Sequence, residues 1–202
     1  MSLFSFDELK PAAQISDRSG SLHETGEVSA ALIGQASGII EMIVGQLQQE
    51  RTVHFTSFGS FSMHQLLAHL LKITGPADVF IATWAMTEDP CRAIHALKES
   101  GVIRSLHLLF DYKIRERSPQ ALQLAEGIAT SYKYSKCHAK TTVIVNDSWG
   151  ISVIASANYT RNPRIERGLI CCNPLVAAFD RDWILSEIQG TETEILSDEL
   201  DR

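Results

Sequence analysis

Strand-like and helix-like segments alternate through the middle of this chain, which leaves few architectures open to it. The stretch 52–57 (TVHFTS) is β-branched and aromatic, and it runs through Gly59-Ser60 into a helix beginning at Ser62, where Ser62 and Gln65 have the spacing of a capping box. Ala77–Thr83 (ADVFIAT) is a buried-strand run, followed by a helix that opens at Thr87-Glu-Asp-Pro90 and closes at Lys98-Glu-Ser-Gly101. A third strand covers 102–110 and a short helix Pro119–Ile128; strand candidates follow at 139–145, Gly150–Ala155 and 167–172, and a last helix at about 174–188. Strands that are continuously apolar are covered on both sides. The pattern therefore predicts an α/β fold, a mixed β-sheet flanked by helices on both faces.

The 202 residues fit one domain with terminal extensions. Residues 1–27 mix Ser, Gly and acidic side chains without a sustained period and read as an irregular N-terminal arm. The domain is expected over 28–190, opening with a helix over 28–49 whose apolar positions are Leu32, Ile33, Ile39, Ile40, Ile43, Val44 and Leu47. Residues 191–202 form an acidic C-terminal tail, suited to a larger protein partner. No apolar run reaches the roughly 18 residues of a membrane span, and the opening MSLFSFDELK is acidic, so neither export nor a membrane role is expected. Four cysteines without a C-x-x-C pair point to a reducing cytoplasm, and Cys171-Cys172, inside the apolar run GLICCNPLV, reads as packing.

A net charge of −6 argues against a protein that coats nucleic acid through a global positive field. The charge is unevenly spread. Residues 111–167 hold nine basic side chains against five acidic ones, while 168–202 hold two against eight. A basic stretch between acidic ends is a candidate anion site, with phosphate the natural ligand.

Inside that stretch lies the constellation that carries chemistry. Cys137-His138-Ala139-Lys140 leads into a strand, a turn and a second strand, and Ser156-Ala157-Asn158 follows. On a strand, His138 and Lys140 point to one face. A hairpin through 146–150 then returns Ser156 and Asn158 alongside them. An imidazole, an ammonium, a hydroxyl and an amide suit a phosphodiester: the nonbridging oxygens need donors and the phosphorus needs an attacking group.

These residues resemble the signature of the phospholipase D superfamily, H-x-K followed by a spacer and G-S-x-N, here His138-Ala-Lys140 and Ala155-Ser156-Ala157-Asn158. Glu166 stands eight residues beyond Asn158, where family members commonly carry an acid. Two positions depart from the pattern: the family's Asp falls on Val145, with Asp147 the nearest acid, and Ala155 replaces the Gly. The family builds one pocket from two such motifs, and no other histidine here (His23, His54, His64, His69, His95, His107) has a Lys two positions on. The resemblance therefore implies a homodimer with a shared active site, as in the small single-motif endonuclease-like branch.

By this resemblance, His138 of one subunit attacks phosphorus to form a phosphohistidine and His138 of the partner subunit protonates the leaving oxygen. Two identical histidines in opposite roles, one as nucleophile and one as acid, predict a bell-shaped pH profile. Lys140 and Asn158 hold the nonbridging oxygens, Ser156 supports them as a donor, and Glu166 accepts from His138. Lys136, Arg161 and Arg164 extend the substrate-binding track. The scheme requires no metal and no cofactor. It predicts a nuclease acting on DNA or RNA; a noncatalytic nucleic-acid-binding or assembly subunit that keeps the fold is the alternative, with a phospholipase or phosphatidyl transferase third.

Overall fold

The computed structural model describes residues 19–24, 28–34, 38–161 and 163–190. In chain order the elements are β1 (Ser19–Glu24), β2 (Val28–Gly34), α1 (Ile39–Val44), β3 (Arg51–Phe58), α2 (Met63–Thr74), β4 (Ala77–Thr83), α3 (Glu88–Glu99) and β5 (Ile103–Asp111). They continue with α4 (Ile114–Arg117), α5 (Pro119–Ile128), β6 (Ser131–Ser135), β7 (Thr141–Val145), β8 (Gly150–Ala155), β9 (Ile165–Cys172) and α6 (Pro174–Gln189). The strands form one nine-stranded sheet in the order β2-β1-β3-β9-β8-β7-β4-β5-β6. β4, β5 and β6 are parallel, and every other neighbouring pair is antiparallel.

Helices cover both faces, as expected of buried strands. Alternation along β4 shows how: Val79 and Ile81 join the larger core, whose helical part includes Ile39, Leu66, Leu67, Ile94 and Ala125. Phe80 and Ala82 point the other way, with Leu109 and Val143, into a smaller core closed by Ala177 and Ile184 of α6. Local sequence fixes the helix ends. The Ser62–Gln65 capping box starts α2, whose buried Met63, Leu66, Leu67, Leu70 and Leu71 recur at helical spacing, and Asn173 starts α6 by accepting from the backbone N–H of Leu175 and Val176.

The N-terminal region differs from the sequence expectation. The helix expected over 28–49 is a strand, β2, followed by a helix of only Ile39–Val44. Gly38 and Gly45 bracket that helix at φ 80 and 55, and such positive angles interrupt the helical path that the apolar periodicity implied. Part of the arm expected to be irregular forms β1, paired with β2 and β3. The remainder of that arm and the acidic tail over 191–202 lie outside the described residues. Two further elements, α4 and the polar strand β6 (SYKYS), were not visible in the sequence pattern. No helix among the described residues is long and apolar enough to cross a membrane.

One edge of the sheet collects the chemistry. The carboxyl ends of parallel β4, β5 and β6 lie there, and the antiparallel pairings bring the start of β7, the end of β8, the start of β9 and the end of β3 to the same edge. In open α/β sheets the carboxyl ends of the parallel strands are where ligands bind. The loops after β3 and β8 meet closely at this edge. Gly59, at φ +79, lies so near Pro163 that an added Cβ would stand 2.7 Å from the proline Cα.

Candidate active site

His138 and Lys140 lie just before β7, not within it as the sequence pattern implied, because the strand begins at Thr141. They meet all the same. The Lys140 ammonium donates to the His138 carbonyl oxygen at 2.7 Å and stands 3.2 Å from its Nδ1 and 3.3 Å from its Nε2. His138 is exposed and Lys140 is half-buried. Burial lowers the Lys140 pKa from its ordinary value, while the nearby Cys137, Glu166 and Asp111 act in the opposite direction. The ammonium is thus partly stripped of water, and such a charge acts more strongly on an incoming anion than a solvated one.

Ser156 and Glu166 form a second unit. The Ser156 hydroxyl donates to Glu166 Oε2 and accepts from the Arg167 backbone N–H at 3.1 Å, and the Ser156 N–H donates to the Arg167 carbonyl oxygen at 2.9 Å. A hydroxyl has one proton. With its proton directed at Glu166, the Ser156 hydroxyl fixes that carboxylate, one of the charges acting on Lys140.

Asn158 is held on the β4 side of the same edge. The Thr83 hydroxyl donates to the Ala85 carbonyl oxygen at 3.0 Å and stands 3.3 Å from the Asn158 side-chain amide, which ties that amide to the end of β4. The next residue anchors it: Tyr159 is buried, its phenol bonds the Thr142 hydroxyl at 2.7 Å, and its backbone N–H donates to the Ala85 carbonyl at 3.2 Å. Burial pushes the Tyr159 phenol well above its usual range, so it stays protonated.

The expected outer residues have separate places. Arg161 and Arg164 are exposed between β8 and β9, and Lys136 is exposed between β6 and β7. Cys137, next to His138, is buried, and burial raises its thiol pKa, so it remains a protonated packing residue.

Sequence reasoning missed three contributors. Buried Asp111, the last residue of β5, accepts from the Lys113 N–H at 3.1 Å and is among the charges acting on Lys140. Trp84 follows β4, with its ring centroid 5.8 Å from that of His138, and the Arg117 guanidinium lies 4.0 Å from the Trp84 centroid. The position of Trp84 and Asp111 at the ends of apolar runs, where parallel strands present their carboxyl termini, was the signal available.

No protein-family profile matches the chain, and no curated protein matches it in sequence. Among solved structures it is similar to the polyphosphate kinase from Porphyromonas gingivalis, at TM-score 0.53 and 17% identity, over 79% of this chain and 29% of the kinase. It is also similar to Nuc from Salmonella typhimurium, described as a phospholipase D family member, at TM-score 0.48 and 15% identity, over 60% of this chain and 85% of Nuc. NucT from Helicobacter pylori gives TM-score 0.48 and 18% identity, over 59% of this chain and 85% of NucT. The likeness to the kinase establishes a common architecture. The chain shares with the kinase an α/β fold, an open mixed sheet between two helical layers.

Proposed function

We propose that this chain is a phospholipase D superfamily phosphodiesterase, a nuclease acting on DNA or RNA without a metal, whose pocket is shared by two copies of the chain in a homodimer. The observation that carries this reading is the pairing of exposed His138 with the half-buried Lys140 ammonium, at the same sheet edge as Asn158 and the Ser156–Glu166 unit. The exposure of His138 leaves room for His138 of the partner subunit to face the same phosphate.

In this scheme a neutral ring nitrogen of His138 attacks phosphorus and forms an N–P bond as the bond to the leaving oxygen breaks. His138 of the partner subunit gives its proton to that oxygen. Water then attacks the phosphohistidine, gives its proton to the same partner histidine, and releases His138 as the P–O bond forms. Lys140 and Asn158 stabilise the charge on the nonbridging oxygens throughout. Asp111 and Glu166 hold the lysine charge in place, and the basic loops carrying Lys136, Arg161 and Arg164 guide the polyanion toward an otherwise acidic protein. We assign the chain to a reducing cytoplasm.

Subunit mixing tests the shared pocket. Wild-type chain is unfolded and refolded with an equal amount of His138→Asn chain, and cleavage of an oligonucleotide is compared with unmixed wild type refolded at the same total chain concentration. If both histidines serve one phosphate, only dimers with two wild-type chains are active and about one quarter of the activity remains. Retention of about half would show that each subunit works alone.

A further inference from the structure

Beside His138 the fold builds a feature that the hydrolytic scheme leaves unused. Helix α4 is a single turn that follows β5 and carries Arg115 and Arg117. Arg117 lies over Trp84, which follows β4 on one side of β5, and Arg115 lies over Tyr134 of β6 on the other, each guanidinium 4.0 Å from the ring centroid. Lys113 adds a third cation, 5.7 Å from the Tyr112 centroid. Both arginines are exposed while Trp84 and Tyr134 are half-buried, so each ring backs a guanidinium whose outer side faces solvent. Among the described residues no carboxylate forms an ion pair with Arg117.

We propose that the Trp84–Arg117 stack is a nucleobase platform that makes single-stranded nucleic acid the substrate of this site. The proposal rests on the reading of the site as one that takes nucleic acid, and it adds strandedness. A guanidinium held over an indole offers a cationic surface against which a base can stack, and withdrawal of Arg117 opens the indole itself. The Trp84 ring centroid lies 5.8 Å from that of His138, so a nucleotide whose phosphate meets His138 has its base within reach of the stack. A purely electrostatic phosphate track needs only flexible cations; here two of the cations are held over aromatic rings. Bases in a duplex bury their faces against each other, so only an unpaired strand offers one. The Arg115–Tyr134 pair, on the far side of β5, provides a second stacking position for a neighbouring base.

Binding tests this independently of cleavage. A fluorescein-labelled thymidine oligomer, the same length of tetrahydrofuran abasic oligomer, and a duplex of equal length are titrated by anisotropy with His138→Asn protein, and with the same protein carrying Trp84→Ala, Trp84→Phe or Arg117→Ala. The thymidine oligomer should bind about ten-fold tighter than the abasic one. Trp84→Ala should remove that advantage without changing abasic binding, Trp84→Phe should keep most of it, and Arg117→Ala should reduce it. Equal binding of the thymidine and abasic oligomers, a parallel loss for both in Trp84→Ala, tighter binding of the duplex, or no binding of any oligomer would overturn the platform. Base-dependent binding in a protein that cleaves nothing would overturn the hydrolytic reading and leave the platform standing; cleavage without base dependence would do the reverse.

Discussion

Replacing Lys140 by alanine removes an ammonium that stands within hydrogen-bonding distance of both His138 ring nitrogens and also holds the His138 backbone carbonyl at 2.7 Å. Loss of a single preorganised donor to a developing oxyanion costs about 3–4 kcal/mol, or roughly 10²–10³ in kcat. In a homodimer the substitution removes the lysine from both sides of the pocket, so the loss should reach the upper end of that range or pass it. The assay is kcat on a single-stranded oligonucleotide, with Lys140→Arg and Lys140→Met alongside. Arginine keeps the charge but spreads it over a planar fork, and should restore part of the rate; methionine keeps the packing of the stem without charge and should behave like alanine. Activity of Lys140→Ala within ten-fold of wild type would refute the assignment of charge stabilisation to this residue.

Gly168→Ala tests the packing beneath the site, because its Cβ would stand 2.8 Å from the Ile154 carbonyl oxygen and 2.9 Å from the Ala155 Cβ, between β8 and β9. Overpacking there should destabilise the protein by about 1–3 kcal/mol in denaturant melts, and an unchanged midpoint would contradict the register of these strands. Burial lowers the pKa of His107, with Asp78 opposing and Lys98 adding to the shift, and burial also lowers those of His64 and His69. The unfolded chain therefore binds these protons more readily than the folded one. Stability should be fully present above the ordinary histidine value of 6.5 and should fall as pH drops below it; His107→Gln, which ends the ring's stack on Phe80, should lessen that slope, and a flat profile from pH 7 to 5 would contradict the burial argument.

The parts of this protein written in local sequence were the parts that could be read. His138-Ala-Lys140 and Ser156-Ala-Asn158 are each short, and a single hairpin, 146–150, brings them together, so spacing alone placed them at one edge. The paired strands and capped helices of the middle were legible because apolar runs and the Ser62–Gln65 box signal them directly. Trp84 and Asp111 were marked only by their places at the ends of apolar runs, and no fixed spacing links them or Arg117 to His138, beside which they come only after three parallel strands align. Strand β6 escaped notice for a related reason: SYKYS has little apolar character, and its strand state comes from pairing with β5. At 28–49 the misleading signal was a helical periodicity that continued across Gly38 and Gly45, where the backbone turns to positive φ.

The central claim is histidine-dependent phosphodiester cleavage without a metal, and one assay meets it directly. Single- and double-stranded DNA and RNA are incubated with wild type and His138→Asn in excess EDTA. The account predicts cleavage by wild type, strongest on a single strand, and none by the variant. Loss of all cleavage in EDTA, or equal cleavage by the two proteins, would contradict it.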